Sequence, residues 1–234
     1  MVKTTSFYRP QIFRKSKMAD IETTDAFCHR SQKPGMSSDE VLRFYDNWAE
    51  KYDKDLLDLN YNGPRQCAEA LAEVLSGNKA ARVLDVAAGT GLCAMELIKL
   101  GYTNLDAIDG SQGMLDIAKS RNLYHRYICD FLGPRRLDIE DGHYDAIACC
   151  GAFSQGHMKD DCFQELIRVV KPGGLICIAM REEFLYTVEA YKDKLEPAMM
   201  ALEDKGSWEQ VARDIVPKYY RDKDGVIFIY RVLS

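Results

Sequence analysis

Apolar residues change their spacing along this chain, and each change marks a different kind of element. From Ser37 onward, Val41, Tyr45, Trp48, Tyr52 and Leu56 recur every three or four residues. That spacing puts them on one face of a helix. Ser37 and Glu40 have the S-x-x-E spacing of a capping box at its start. Asn62-Gly63-Pro64 then breaks the chain and opens a second helix, with Cys67, Ala68, Leu71 and Leu75 inward and Gly77 past its end.

After Lys79 short apolar runs alternate with helical spacing. Strands are expected over 82–86, 105–108, 124–129, 144–150 and 174–180, and helices over 92–100, 111–120 and 160–170. Strands alternating with helices imply parallel pairing and right-handed crossovers. The end differs. A helical pattern over 189–202 contains Pro197, so it is broken or starts late. Two apolar runs, 216–220 and 226–233, flank RDKDG and predict a tight hairpin. The fold class is therefore α/β: a doubly wound, mostly parallel seven-stranded sheet with an antiparallel C-terminal hairpin. One domain is expected over 37–234.

Residues 1–36 show no such period and are expected to form a disordered tail. The first 17 carry Lys3, Arg9, Arg14, Lys15 and Lys17 and no acid. Pro10 spoils the amphipathic helix that a mitochondrial leader needs, and Met18, opening MADIE, is an alternative start. No secretory leader is expected.

Composition narrows the partners. The chain has 234 residues and a formal net charge of -5, which argues against a general nucleic-acid binder. No apolar run approaches a membrane span. Cys28, Cys67, Cys93, Cys129, Cys149, Cys150, Cys162 and Cys177 contain no C-x-x-C pair. They read as buried, reduced thiols of a cytoplasmic protein, and a monomer is expected. His29, His125, His143 and His157 lack metal-ligand spacing.

The candidate chemistry lies at VLDVAAGTG, residues 83–91. Gly89 through Ala94 fits G-x-G-x-x-G/A, and Asp109 ends the next strand near the spacing of a ribose-binding acid. This pattern alone fits a nicotinamide dinucleotide or another adenosine cofactor. Asp85 bears on the choice. A carboxylate beside the glycines opposes a pyrophosphate and favours the cationic S-adenosyl-L-methionine, directly or through water.

VLDVAAGTG, AIDGSQGML, CDFL, YDAIACCGAF and VVKPGGL, in this order, resemble the class I S-adenosylmethionine-dependent methyltransferases. FYDNWAEKYD and PRQCAEAL are similar to a methyltransferase-like branch of that family. The resemblance implies the Rossmann-like methyltransferase fold and S-adenosyl-L-methionine as cofactor. It implies that Asp85, Ala87, Gly89 and Gly91 line the methionine part. Ala87 stands where the family loop usually has its first glycine. Asp109 would accept from the ribose hydroxyls, with Gly110 and Met114 beside sugar and base. Asp130 would accept from the adenine amino group, Phe131 would flank the ring, and Gly151 would sit near the sulfonium.

The family builds its acceptor site from three segments. Here they hold Tyr45, Trp48 and Tyr52; Phe153 through His157; and Arg181 through Tyr186. Residues 37–62 are expected to form a lid, mobile without cofactor and ordered with it. His157 is expected on a surface loop rather than as a base. CGAF lacks the N/D-P-P-Y/F of enzymes that methylate nucleic-acid amino groups. A small molecule is the preferred acceptor and a protein side chain the second. The rivals are an NAD(P)-dependent oxidoreductase and a non-catalytic cofactor-binding module acting through a protein partner.

Overall fold

The computed structural model describes residues 22–32 and 35–233. The basic stretch 1–17 and Met18 lie outside the described residues. Seven strands form one sheet in the order β3-β2-β1-β4-β5-β7-β6. They are β1 (Val83–Val86), β2 (Leu105–Asp109), β3 (Arg126–Cys129), β4 (Tyr144–Cys150), β5 (Val170–Arg181), β6 (Trp208–Tyr220) and β7 (Lys223–Val232). The first five are parallel, and β7 enters antiparallel between β5 and β6. The chain winds outward from β1 to β3 and restarts at β4, so the strand order reverses between β1 and β4. Open α/β sheets bind ligands at such a point, beyond the carboxyl ends of the strands.

The pleat sorts the core into two layers. Leu84, Val86, Ile147, Ile176, Ile178 and Met180 face one way, against α6 (Phe163–Val169), α7 (Phe184–Thr187) and α8 (Leu195–Asp204). Ala146, Ala148, Cys177 and Ala179 face the other way, against α2 (Ser38–Asp58), α3 (Gly63–Val74), α4 (Leu92–Lys99) and α5 (Gln112–Ser120). Bulk on one face and small residues on the other let α3 lie close over the central strands. Pro64 occupies the first turn of α3, where its missing N–H costs no hydrogen bond.

The capping box forms as its spacing predicts. Glu40 N donates to Ser37 Oγ at 3.3 Å, and Ser37 N donates to Glu40 Oε2 at 2.8 Å. The helix containing Pro197 starts late, at Leu195. Two expectations need correction. β6 begins at Trp208, not near residue 216, because it is an edge strand. Glu209, Gln210, Arg213 and Asp214 are exposed and interrupt the apolar run. The expected disordered stretch also ends before residue 36. A helix, α1, spans 22–28, and a 3-10 turn follows over His29–Gln32. Phe27 packs on Phe44 and Trp48 with ring centroids 5.1 and 5.7 Å apart. Asp25 accepts from Tyr220 Oη at 2.7 Å and pairs with Arg221. Two turns of helix with Phe27 and Cys28 as inward anchors are too short to show a period.

Trp208 ties the hairpin to the helical layer. It is wholly buried, stacks on Tyr230 with centroids 4.1 Å apart, and donates to Met199 O at 3.0 Å. Trp208→Ala should cost about 3–5 kcal/mol of stability, the usual range for emptying a buried aromatic site. Urea unfolding measures this; a loss below about 1 kcal/mol would show that the hairpin does not depend on it.

Candidate functional site

The carboxyl ends of β1, β2 and β4 meet a cavity of about 300 Å³. β1 runs into a loop in which Ala87, Gly89 and Gly91 all have positive φ, at 54°, 55° and 92°. A Cβ on Gly89 would meet no atom within 4 Å, so this glycine opens the backbone to the cavity. Gly91 serves packing instead. Its missing Cβ would lie 2.3 Å from Leu123 Cδ1.

Asp109 sets the loop. Its Oδ2 accepts from Gly89 N and its Oδ1 from Ser111 N, both at 2.8 Å. One carboxylate therefore fixes the glycine loop and the start of α5, while each oxygen keeps further acceptor capacity. Burial pushes this carboxyl above its ordinary range, and the two backbone donors oppose that shift.

Of the expected site residues, Tyr45, Tyr52, Ala87, Gly89, Asp109, Gly110, Met114, Asp130, Phe131 and Gly151 line this cavity. Asp85, Gly91 and Trp48 do not. Asp85 is 1% exposed and accepts from Tyr124 Oη at 2.7 Å. It stands behind the loop, so its charge does not face a ligand directly. Trp48 packs as core and donates to Asp55 Oδ2 at 2.8 Å. Asp130 Oδ1 takes Phe131 N at 2.8 Å and pairs with Arg135, whose guanidinium lies 5.5 Å from the Phe131 ring centroid.

α2 roofs the cavity through contacts that its apolar period does not reveal. Asp46 Oδ1 accepts from Ser111 Oγ at 2.6 Å and Gly113 N at 3.0 Å. A Cβ on Gly113 would lie 3.1 Å from the Asp46 backbone, so the glycine permits the approach. Asp53 accepts from Thr90 Oγ1 and Arg121 Nη2, both at 2.5 Å. The only sequence signal is the seven-residue interval between these acids, two helical turns on one side.

His157 is a further correction. It is not on an open surface loop but lines the cavity, with its Nε2 2.9 Å from Tyr45 Oη. Its Nδ1 lies 2.9 Å from Gln155 O and 2.8 Å from Ser154 Oγ. A carbonyl oxygen only accepts, so Nδ1 carries the proton and Nε2 accepts from Tyr45. Burial lowers the pKa and keeps this ring neutral.

A smaller cavity of about 70 Å³ shares Tyr45, Tyr52 and Gly151 with the first. Cys28, Tyr61, Phe184, Tyr219, Tyr220 and Arg181 line its other sides. The expected acceptor segment 181–186 contributes Arg181 and Phe184 here, whereas Tyr186 is exposed.

The sheet order and the strand-end cavity define a class of protein, the Rossmann-like folds that hold an adenosine cofactor at the switch point. The cavity suits S-adenosylmethionine: an open backbone at Gly89, a carboxylate at Asp109 with spare acceptor capacity, and apolar walls at Met114 and Phe131.

Comparisons with known proteins are consistent. A methyltransferase-domain family model matches residues 83–174. Methyltransferase-like protein 27 of Homo sapiens is 41% identical over 171 residues, which cover 73% of this chain and 69% of that protein. Demethylmenaquinone methyltransferase of Renibacterium salmoninarum is 31% identical over 143 residues, 60% of this chain and 58% of the enzyme. The solved 1,6-didemethyltoxoflavin-N1-methyltransferase of Burkholderia thailandensis superposes with a TM-score of 0.58 at 17% identity, over 86% of this chain and 93% of that one. At that identity the likeness is one of fold. The chain belongs to the class I S-adenosylmethionine-dependent methyltransferases, with S-adenosyl-L-methionine as cofactor.

Asp85 gives a pH prediction. Burial, reinforced by the charge of Asp109 and opposed by the Tyr124 hydroxyl, pushes its carboxyl from an ordinary 3.8 up to about 7. The folded value exceeds the unfolded one, so the native chain holds the extra proton between them. This contribution to stability is full below the unfolded value and is lost as pH rises through the folded one. At about 1.36 kcal/mol per unit, wild-type stability relative to Asp85→Asn should fall by about 2–3 kcal/mol between pH 5 and 8. Urea titrations of both proteins at those pH values measure the difference. Parallel pH profiles would show that Asp85 is not a buried, protonated acid.

Proposed function

We propose that this methyltransferase acts on a small molecule, bound in the smaller cavity beyond Gly151. The observation that carries this reading is the aromatic lining of that cavity. α1 supplies Cys28, α2 supplies Tyr45 and Tyr52, and the β6–β7 hairpin supplies Tyr219 and Tyr220, around about 70 Å³. No helix among the described residues is long and apolar enough to cross a membrane.

Asp109 is assigned to the ribose hydroxyls. Asp130 is assigned to the adenine amino group through Oδ2, since the bonds it makes within the chain end on Oδ1. Gly89 and Ala87 border the amino-acid part, Met114 and Phe131 the base, and Gly151 the boundary between the two cavities. When bound, S-adenosylmethionine supplies an activated methyl group with a good leaving group. What remains for the chain is to align the acceptor and exclude water. At Gly151 the missing side chain makes room for Tyr61, because a Cβ there would lie 2.6 Å from Tyr61 Oη. His157 is a positioning residue that fixes the Tyr45 hydroxyl. The N-terminal half of α2 acts as the lid, closing over bound cofactor.

Two results are expected. Incubating the protein with S-adenosylmethionine labelled in its methyl group and a cell extract should put label into the low-mass fraction; label confined to precipitated protein would overturn the small-molecule reading. Asp109→Ala should weaken S-adenosylhomocysteine binding tenfold or more, since charge-assisted hydrogen bonds contribute about 1.5–3 kcal/mol each. Calorimetry on the folded variant, with Asp109→Asn alongside, reads this; unchanged affinity in both would remove Asp109 from the ribose.

A further inference from the structure

Among the described residues Arg181 is the one charged side chain in the wall of the smaller cavity, and its setting gives it a specific task. It is 8% exposed. Its guanidinium lies 3.8 Å from the Tyr220 ring centroid and 5.0 Å from that of Phe184. A stacked guanidinium commits its face to the ring and leaves its N–H edge for an acceptor.

The chain supplies only part of that acceptor. Arg181 donates through Nη1 to His29 Nε2 at 3.2 Å and to Glu183 Oε1 at 3.4 Å. His29 Nδ1 donates to Asp25 O at 2.7 Å, which leaves Nε2 as the acceptor for Arg181. Glu183 is about one-third exposed and also binds Lys223 Nζ at 3.1 Å. The nearby acids are engaged elsewhere, Asp25 by Tyr220 and Arg221 and Asp55 by Trp48. Among the described residues Nη2 and Nε have no partner, yet neither is a sealed, unsatisfied atom, so both remain accessible. They form one edge of the guanidinium fork, spaced for the two oxygens of a carboxylate.

Strand geometry brings this fork to the boundary between the cavities. β5 alternates faces, so Arg181 shares the face of Cys177 and Ala179. Ala179 O accepts from Gly151 N at 2.9 Å, which sets the strand beside the boundary glycine. The other polar walls carry no charge to compete. Burial pushes the Cys28 thiol up to about 12 and holds the Tyr61 and Tyr219 hydroxyls protonated.

Resting on the small-molecule reading above, we infer that the acceptor carries a carboxylate and that Arg181 selects it. A buried guanidinium with one long, shared carboxylate partner gains most from an anion that enters the cavity. A monoanion matches its single charge. The contribution of residues 22–32 follows directly, because Cys28 and His29 help enclose and hold this arginine.

Benzoate and its neutral isostere benzamide test the inference on the full chain saturated with S-adenosylhomocysteine, by ligand-observed NMR titration. Benzoate should bind at least tenfold tighter than benzamide. Arg181→Gln should abolish that preference while S-adenosylhomocysteine affinity stays within about threefold. Arg181→Lys, which keeps the charge but loses the fork, should retain part of it. Equal binding of the two probes by the parent protein would overturn the inference whatever the variants do. So would a benzoate preference that survives in Arg181→Gln. Failure of the parent to bind S-adenosylhomocysteine would instead overturn the cofactor site itself.

Discussion

A parallel sheet ends in an open edge, and the use of this one depends on fastening a helix across it. The fastening is electrostatic. Asp46 and Asp53, two turns apart on α2, accept hydrogen bonds from the start of α5, from Thr90 in the glycine loop and from Arg121 past the end of α5. A carboxylate at the N-terminus of α5 also meets the positive end of that helix. These bonds hold Tyr45 and Tyr52 over the cavity; without them the strand ends would face water.

The helix is not held evenly. Its second half is core: Trp48 and Leu56, with Leu59 just past its end, are buried with α3 and α4. Its first half rests on Asp46, the Tyr45–His157 bond and Leu42, which lies where a Cβ on Gly110 would be. An element anchored at one end and clipped at the other is suited to closing over a ligand. The smaller cavity lies on the anchored side, walled by Trp48, Leu56 and the helix over 22–28.

Most of the sheet was legible because its central strands are buried on both faces. VLDV and YDAIACC read as strands for that reason, and the switch from β1 to β4 placed the site. β6 was legible only at its end, since an edge strand mixes polar and apolar positions. Asp85 shows a different limit. Proximity to the glycines in sequence suggested a charge facing the ligand, but the side chain points behind the loop to Tyr124. Sequence spacing gives distance along the chain and not direction once the backbone leaves a regular strand. His157 was hidden for the same reason, because its burial comes from Tyr45, 112 residues away. Arg181 was placed in an acceptor segment by resemblance, but its partners come from both ends of the chain, His29 and Tyr220.

The most direct test is hydrogen exchange along residues 38–58, with and without S-adenosylhomocysteine. Residues 48–58 should be strongly and equally protected in both states. Residues 38–47 should exchange quickly in the free protein and gain protection when the ligand binds. Strong protection of the whole helix in both states would contradict a roof that closes on the cofactor and would make α2 permanent core from end to end.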